Sequence, residues 1–322
     1  MQPDNAGKPI RCKGTSSTQT LHTCLSMSEM SGRAKRPCDR LVVDRAAAVS
    51  KAPGQPLEME EVEVAPPRAH EVREFPAMFP SILGHEAIGV VESVGDHVHE
   101  VTVGDTVVPV FLPQCGECAD CVSARSNICS ALPYRPGGMP RDGTTRFSLA
   151  ATGEPVHGFV CVSSFAEYTV VDVAHLVKLD VVGPAPALPP EKACLLSCGV
   201  TTGKKMGITD FVNPNDVAEK TVSEGWGKTV VLGVDGSAAP ISVPSFDILR
   251  GRSVTGSLFG GIKPKDDIPV LAQKYLDKEL ELDEFITHQM GFHEINRAFD
   301  LLTQGKCIRC IIWMDYGANE NG

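Results

Sequence analysis

Four cysteines constrain this chain more than any other feature: Cys115-Gly-Glu-Cys118-Ala-Asp-Cys121, then seven residues, then Cys129. Thiols at C-x2-C-x2-C-x7-C spacing close a tetrahedron around one metal ion. Zinc suits four thiolates, because a d¹⁰ ion bound in this way keeps no open coordination position. A site closed on itself folds a loop and performs no chemistry. Disulfides or chance clustering are the alternatives. The expectation is a structural zinc lobe set into a larger domain.

The remaining composition narrows what that domain belongs to. A chain of 322 residues holds about two domains. Its formal net charge of -10 argues against nucleic acid as the partner, since phosphate recognition wants a basic surface. No run of 18 or more apolar residues indicates a membrane span, and the polar N-terminus lacks an apolar signal core. Twelve cysteines, four of them at metal spacing, fit a reducing compartment, with the cytoplasm as the expected location.

Along the chain, residues 1–45 are polar and lack a sustained apolar period, so a poorly ordered segment is expected there. Residues 46–190 alternate short strand-like runs with turn residues. Strands are expected near Leu57–Val64, Ala87–Val94, Thr106–Phe111, Phe165–Val171 and Leu176–Leu179, together making a small barrel or sandwich around the cysteine lobe. Beyond about Pro186 the pattern becomes α/β. Helices are expected over Asp267–Leu280 and Phe292–Leu302, the second stopped by Gly305, and buried strands over Thr229–Val234 and Cys307–Met314. The expected divisions are 46–190, 191–305 and a C-terminal return over 306–322.

The second informative run is Gly84-His85-Glu86-x2-Gly89-x5-Gly95-x2-Val98. Histidine is a good zinc ligand, and an adjacent glutamate can support it or ligate in its own right. This run, followed by the four-cysteine lobe and by Leu195-Leu-Ser-Cys198-Gly-Val-Thr-Thr-Gly203, resembles the medium-chain, zinc-dependent alcohol dehydrogenases, with the plant and class III-like branch nearest. Gly256-Ser-Leu-Phe-Gly-Gly261 and Gly305-Lys-Cys-Ile-Arg309 resemble that family's C-terminal cofactor region.

The resemblance implies a GroES-like β-rich catalytic domain joined to a Rossmann-type, doubly wound domain. It implies hydride transfer between a primary alcohol and NAD, with a catalytic zinc acting as Lewis acid on the alcohol oxygen. His85 and Cys198 would be ligands of that zinc, with Glu86 a nearby acidic group. Thr202, Val234, Phe259 and Arg309 would line NAD, Arg309 pairing a pyrophosphate oxygen. A small alcohol or aldehyde would be the substrate, and the family forms dimers, here with a second copy or with a full-length homologue.

Four departures cut across that pattern. After Glu71-Val-Arg73 the family continues to a cysteine that supplies the third zinc ligand, followed by a hydroxyl residue and a histidine that relay the alcohol proton. Here the chain passes to Glu74-Phe-Pro-Ala-Met-Phe-Pro80, and no cysteine lies between Cys38 and Cys115. Thr202-Gly203 runs directly into Lys204-Lys205 where the family holds its first β-α-β, and no Gly-x-Gly-x-x-Gly turn occurs. Glu224 abuts Gly225 across another missing strand and helix, and residues 14–45 interrupt the first segment. Two readings follow: a zinc alcohol dehydrogenase, or a catalytically silent truncated relative that keeps the structural zinc. The shortened nucleotide region is expected to expose strand edges and apolar faces.

Overall fold

A computed structural model describes residues 23–26, 43–64, 78–95, 97–182, 187–201, 228–231 and 242–314, of which 23–26, 43–45 and 228–231 are described by backbone alone. These residues fall into two units. One takes in the described parts of 21–201 and 263–314, and the other the described parts of 202–262.

Two sheets make the larger unit barrel-like. The first has five strands, β2 (Val43–Ser50), β3 (Glu58–Val64), β4 (Ser81–Ile82), β7 (Phe147–Leu149) and β8 (Pro155–Val156), in the order β4-β2-β3-β7-β8. Strand β2 lies between β4 and β3, antiparallel to both. Its Ala47, Ala48 and Val49 are all fully buried, so this strand is covered on both faces. Small side chains let neighbours approach from either side. The second sheet holds β1 (Thr23–Ser26), β5 (Glu86–Val90), β6 (Thr106–Pro109), β9 (Leu176–Lys178), β12 (Ile286–Gly291) and β13 (Arg309–Trp313), in the order β12-β13-β1-β5-β6-β9. Pairing is parallel from β12 to β5 and antiparallel from β5 to β9.

The core joins both sheets to one helix, Ile295–Thr303. Ile82, Val62, Val49, Ile295 and Ile312 are fully buried there, and Phe165 meets Phe299 edge to face at 5.8 Å. Asn296 clasps Leu57, accepting from its N–H at 2.8 Å and donating to its carbonyl at 2.9 Å. The helix Pro264–Leu276 packs against β9 and against the turn Cys194–Ser197. The smaller unit shows a parallel pair, β10 (Lys228–Val231) beside β11 (Ser253–Gly256), and a short helix Ser245–Leu249. Phe246 and Leu249 on that helix are 60% and 80% exposed, the apolar exposure expected of a shortened nucleotide region.

Several expectations need correction. Thr23–Ser26 forms a strand between β13 and β5, and β2 begins at Val43, so the segment expected to be poorly ordered supplies sheet partners. Polar composition misleads here because backbone pairing, not side-chain periodicity, places Thr23–Ser26. Residues 165–171 hold no strand; Ala166 makes only a single bridge to Ala47. The first long helix starts at Pro264, three residues before Asp267, since proline is well suited to an opening turn. Pro269 therefore falls inside the helix and not in its first turn. That helix, β12 and Ile295–Thr303 group with the barrel and not with β10–β11.

Candidate metal centres

The cysteine lobe is built from local turns. Gly116 takes a left-handed φ of 82°, which turns the chain back after Cys115. The N–H of Cys118 then points at Cys115 Sγ, and that of Cys121 at Cys118 Sγ, each at 3.4 Å. Cys115 and Cys121 sulfurs lie 3.8 Å apart, and Cys118 and Cys129 sulfurs 3.9 Å apart. A tetrahedron with zinc–sulfur bonds of about 2.3 Å has edges of about 3.8 Å, so these spacings fit a tetrathiolate ion site. They are far too long for disulfides. The Cys121 N–H holds the Cys118 thiol down at about 5, whereas burial pushes Cys129 up to about 12 and raises Cys121 as well.

The lobe is fastened from behind. Gln114, buried, donates to Asp266 at 2.9 Å and accepts from the Lys265 N–H at 2.8 Å, while Lys263 Nζ donates to the Cys121 carbonyl. Ala174 packs against Cys121 and Cys129, and the next residue, His175, is wholly buried with Nδ1 2.8 Å from the Val110 carbonyl oxygen. Burial depresses the His175 pKa to about 4, partly opposed by that carbonyl and by Asp172.

The second group is assembled from distant parts of the chain. His85 stands immediately before β5 and Glu86 is its first residue; both are buried, Glu86 at 0% exposed. Neighbours in an extended strand face opposite ways. Here the turn at Gly84, φ 85°, lets both side chains reach one point. A Cβ on Gly84 would come within 2.6 Å of Phe165 Cδ1 and Ser164 Oγ, so the close approach needs glycine. The third member, Cys198, follows the buried turn Cys194–Ser197, with φ -154° and ψ -89°, outside both helix and strand geometry. Thr201 Oγ1 lies 2.8 and 2.9 Å from the Leu196 and Cys198 carbonyl oxygens, and its single proton, donated to one or shared between them, pins that turn. The ligand atoms of His85, Glu86 and Cys198 all lie within 4.8 Å of one another.

The surroundings of this group are largely buried and carry charge. Phe111 and Phe159 present edges to the His85 ring, with centroids 6.0 and 5.9 Å away. Glu86 Oε1 accepts the Gly199 N–H at 3.2 Å, and Arg309 Nε stands 3.5 Å from Oε2. Burial, then the Glu86 carboxylate, pushes the Cys198 thiol well above its ordinary range, while Arg309 acts in the opposite sense. One imidazole, one carboxylate and one thiol are donors that fit a borderline ion such as zinc.

Four residues are expected to line NAD. Thr202 and Val234 lie outside the described residues. Phe259 is 2% exposed, in a tight turn with φ 54°. Arg309 stands with its guanidinium beside the buried carboxylate of Glu86, Nε lying 3.5 Å from Oε2. Sequence reading did not single out Phe111, Phe159 or Gly199. Only Gly199, beside a suspected ligand, carried any signal.

Comparison with known proteins agrees with this picture. The family model for the alcohol dehydrogenase GroES-like domain matches residues 59–181. The chain is 41% identical to Alcohol dehydrogenase-like 7 of Arabidopsis thaliana over 375 positions, covering 83% of this chain and 95% of the relative. It is 36% identical to Alcohol dehydrogenase 1 of Solanum tuberosum over 380 positions, covering 85% and 98%. Both alignments are longer than the chain itself, so segments of those relatives have no counterpart here. Among solved structures, the alcohol dehydrogenase zinc-binding domain protein from Burkholderia ambifaria shares the fold, with a TM-score of 0.68, 23% identity, and coverage of 84% of this chain and 98% of that one.

Proposed function

This chain belongs to the medium-chain, zinc-dependent alcohol dehydrogenase family, and from that premise we propose that it interconverts small primary alcohols and aldehydes at a metal centre made by His85, Glu86 and Cys198. The convergence of these three donors, with no cysteine between Cys38 and Cys115, is the observation that carries the reading. Glu86 would stand in for the absent cysteine as the third protein ligand. A zinc ion held by His85, Glu86 and Cys198 would supply Lewis-acid polarisation of the alcohol hydroxyl.

The chain's own residues do the remaining work. Gly199 orients Glu86 through its N–H. Phe111 and Phe159 flank the His85 ring with apolar edges, keeping water from that side and favouring an uncharged substrate carbon chain. Pro133, four residues after Cys129, stands about where class III relatives use an arginine to bind a glutathione adduct, which favours simple alcohols. NAD(H) enters as hydride partner by family resemblance alone. The lobe cysteines Cys115, Cys118, Cys121 and Cys129 hold a second zinc whose role is structural.

The family also supports a cytoplasmic enzyme that pairs with a second copy or with a full-length homologue; among the described residues no helix is long and apolar enough to cross a membrane. The test uses zinc-loaded chain, small primary alcohols and NAD, with reduced nicotinamide followed by its absorbance. Alcohol-dependent formation that disappears in Cys198→Ala supports the reading. A chain with both metals bound and no turnover on any primary alcohol would remove the activity from it.

A further inference from the structure

Among the described residues, Arg309 places a cation against the donors of the second metal group, and its position there is specific. It begins β13, its side chain is 13% exposed, and its Nε lies 3.5 Å from Glu86 Oε2. One terminal nitrogen occupies the hollow left by the missing side chain of Gly199, where a Cβ would overlap it; the other donates to the Ile308 carbonyl at 2.8 Å. Glu86 is wholly buried, so water does little to screen this pair.

From these contacts we infer that Arg309 is a positioning residue that holds down the metal affinity of the His85–Glu86–Cys198 group and so makes that ion exchangeable. The inference rests on the metal reading above. A carboxylate donates to a dication in proportion to the negative charge left on it. A guanidinium behind Glu86 withdraws part of that charge and also repels the incoming ion at short range. Gly199 is required for the arrangement twice over, through its N–H on Oε1 and through the space it leaves for the guanidinium.

The test titrates the full chain with zinc against a competing chelator, and repeats it by adding cobalt to chain whose four-cysteine lobe already holds zinc, so that the cobalt–thiolate charge-transfer band reports Cys198 as a ligand. Arg309→Gln and Arg309→Met remove the charge, and Arg309→Lys keeps it. Both neutral variants are expected to bind the second metal at least tenfold tighter than the parent, with the cobalt–thiolate band retained. Arg309→Lys should stay within about threefold of the parent. The four-cysteine ion is the internal reference and should not change. Second-site affinity that is unchanged or weaker in whichever neutral variants fold would overturn the inference while leaving the metal site standing. A parent chain that takes up only the lobe ion would overturn the metal site itself, and the inference with it.

Discussion

The two metal groups bring their donors together by opposite routes. Every lobe ligand lies between Cys115 and Cys129, and the backbone turns that gather them also point N–H groups at the sulfurs. The second group draws His85 and Glu86 from the entry to β5 and Cys198 from a turn more than a hundred residues later, with Arg309 arriving on another strand. A local site draws no donor from elsewhere in the chain, even though Lys263, Lys265 and Asp266 fasten the lobe from behind. A site assembled from remote elements depends on each of them, and under the proposed reading Glu86 takes the place of a family cysteine this chain lacks.

Removing a lobe ligand tests that contrast with the largest effect. Cys129→Ser, or stripping of the lobe ion, should unfold the β-rich unit, since structural zinc of this kind contributes on the order of 10 kcal/mol in peptides. Far-ultraviolet circular dichroism with metal analysis would record it; a variant that stays folded with no lobe ion would erase the distinction. Cys198→Ala, by contrast, should lose the second metal by a hundredfold or more in affinity while costing only about 1 kcal/mol of stability. Urea unfolding alongside chelator competition separates the two quantities. If that variant collapses as Cys129→Ser does, both groups are structural.

Acid should act on the lobe's support at intermediate strength. His175 is buried neutral behind the lobe, with Asp172, Arg141, Lys265 and the Val110 carbonyl as its charged and polar surroundings. Its folded pKa of about 4 lies below the ordinary 6.5. The unfolded chain therefore takes up a proton first, so this stabilisation is full above 6.5 and is lost as pH falls through about 4. The window is worth about 3 kcal/mol. Denaturation curves between pH 7 and 4 should flatten in His175→Asn, and an unchanged slope would show that the imidazole contributes nothing. The smallest effect lies in the other unit. Leu249→Lys, at an 80% exposed position, should change stability by less than about 0.5 kcal/mol yet raise solubility, measured by light scattering on concentration.

Much of this was legible before the structure. The lobe could be read because cysteine spacing alone specifies its geometry, and the Gly84–Glu86 run because His85, Glu86 and the left-handed glycine are adjacent. The helices beginning at Pro264 and ending at Thr303 showed their periods. What escaped was whatever distance or backbone alone decides. Thr23–Ser26 joins a sheet by pairing with β13 and β5, which leaves no side-chain pattern to find. Phe111 and Phe159 become neighbours of His85 only after folding. Arg309 lies beside Glu86 with a terminal nitrogen in the space that Gly199 leaves free, a neighbourhood that exists only in the folded chain.

The most direct test is a metal count on the parent chain during stepwise chelation. Two zinc ions per chain are expected at the start. The first should leave under mild competition with the circular dichroism spectrum intact, and the second only with loss of folded structure. A single ion throughout, or two ions that leave together as the chain unfolds, would contradict the division into one exchangeable and one structural site.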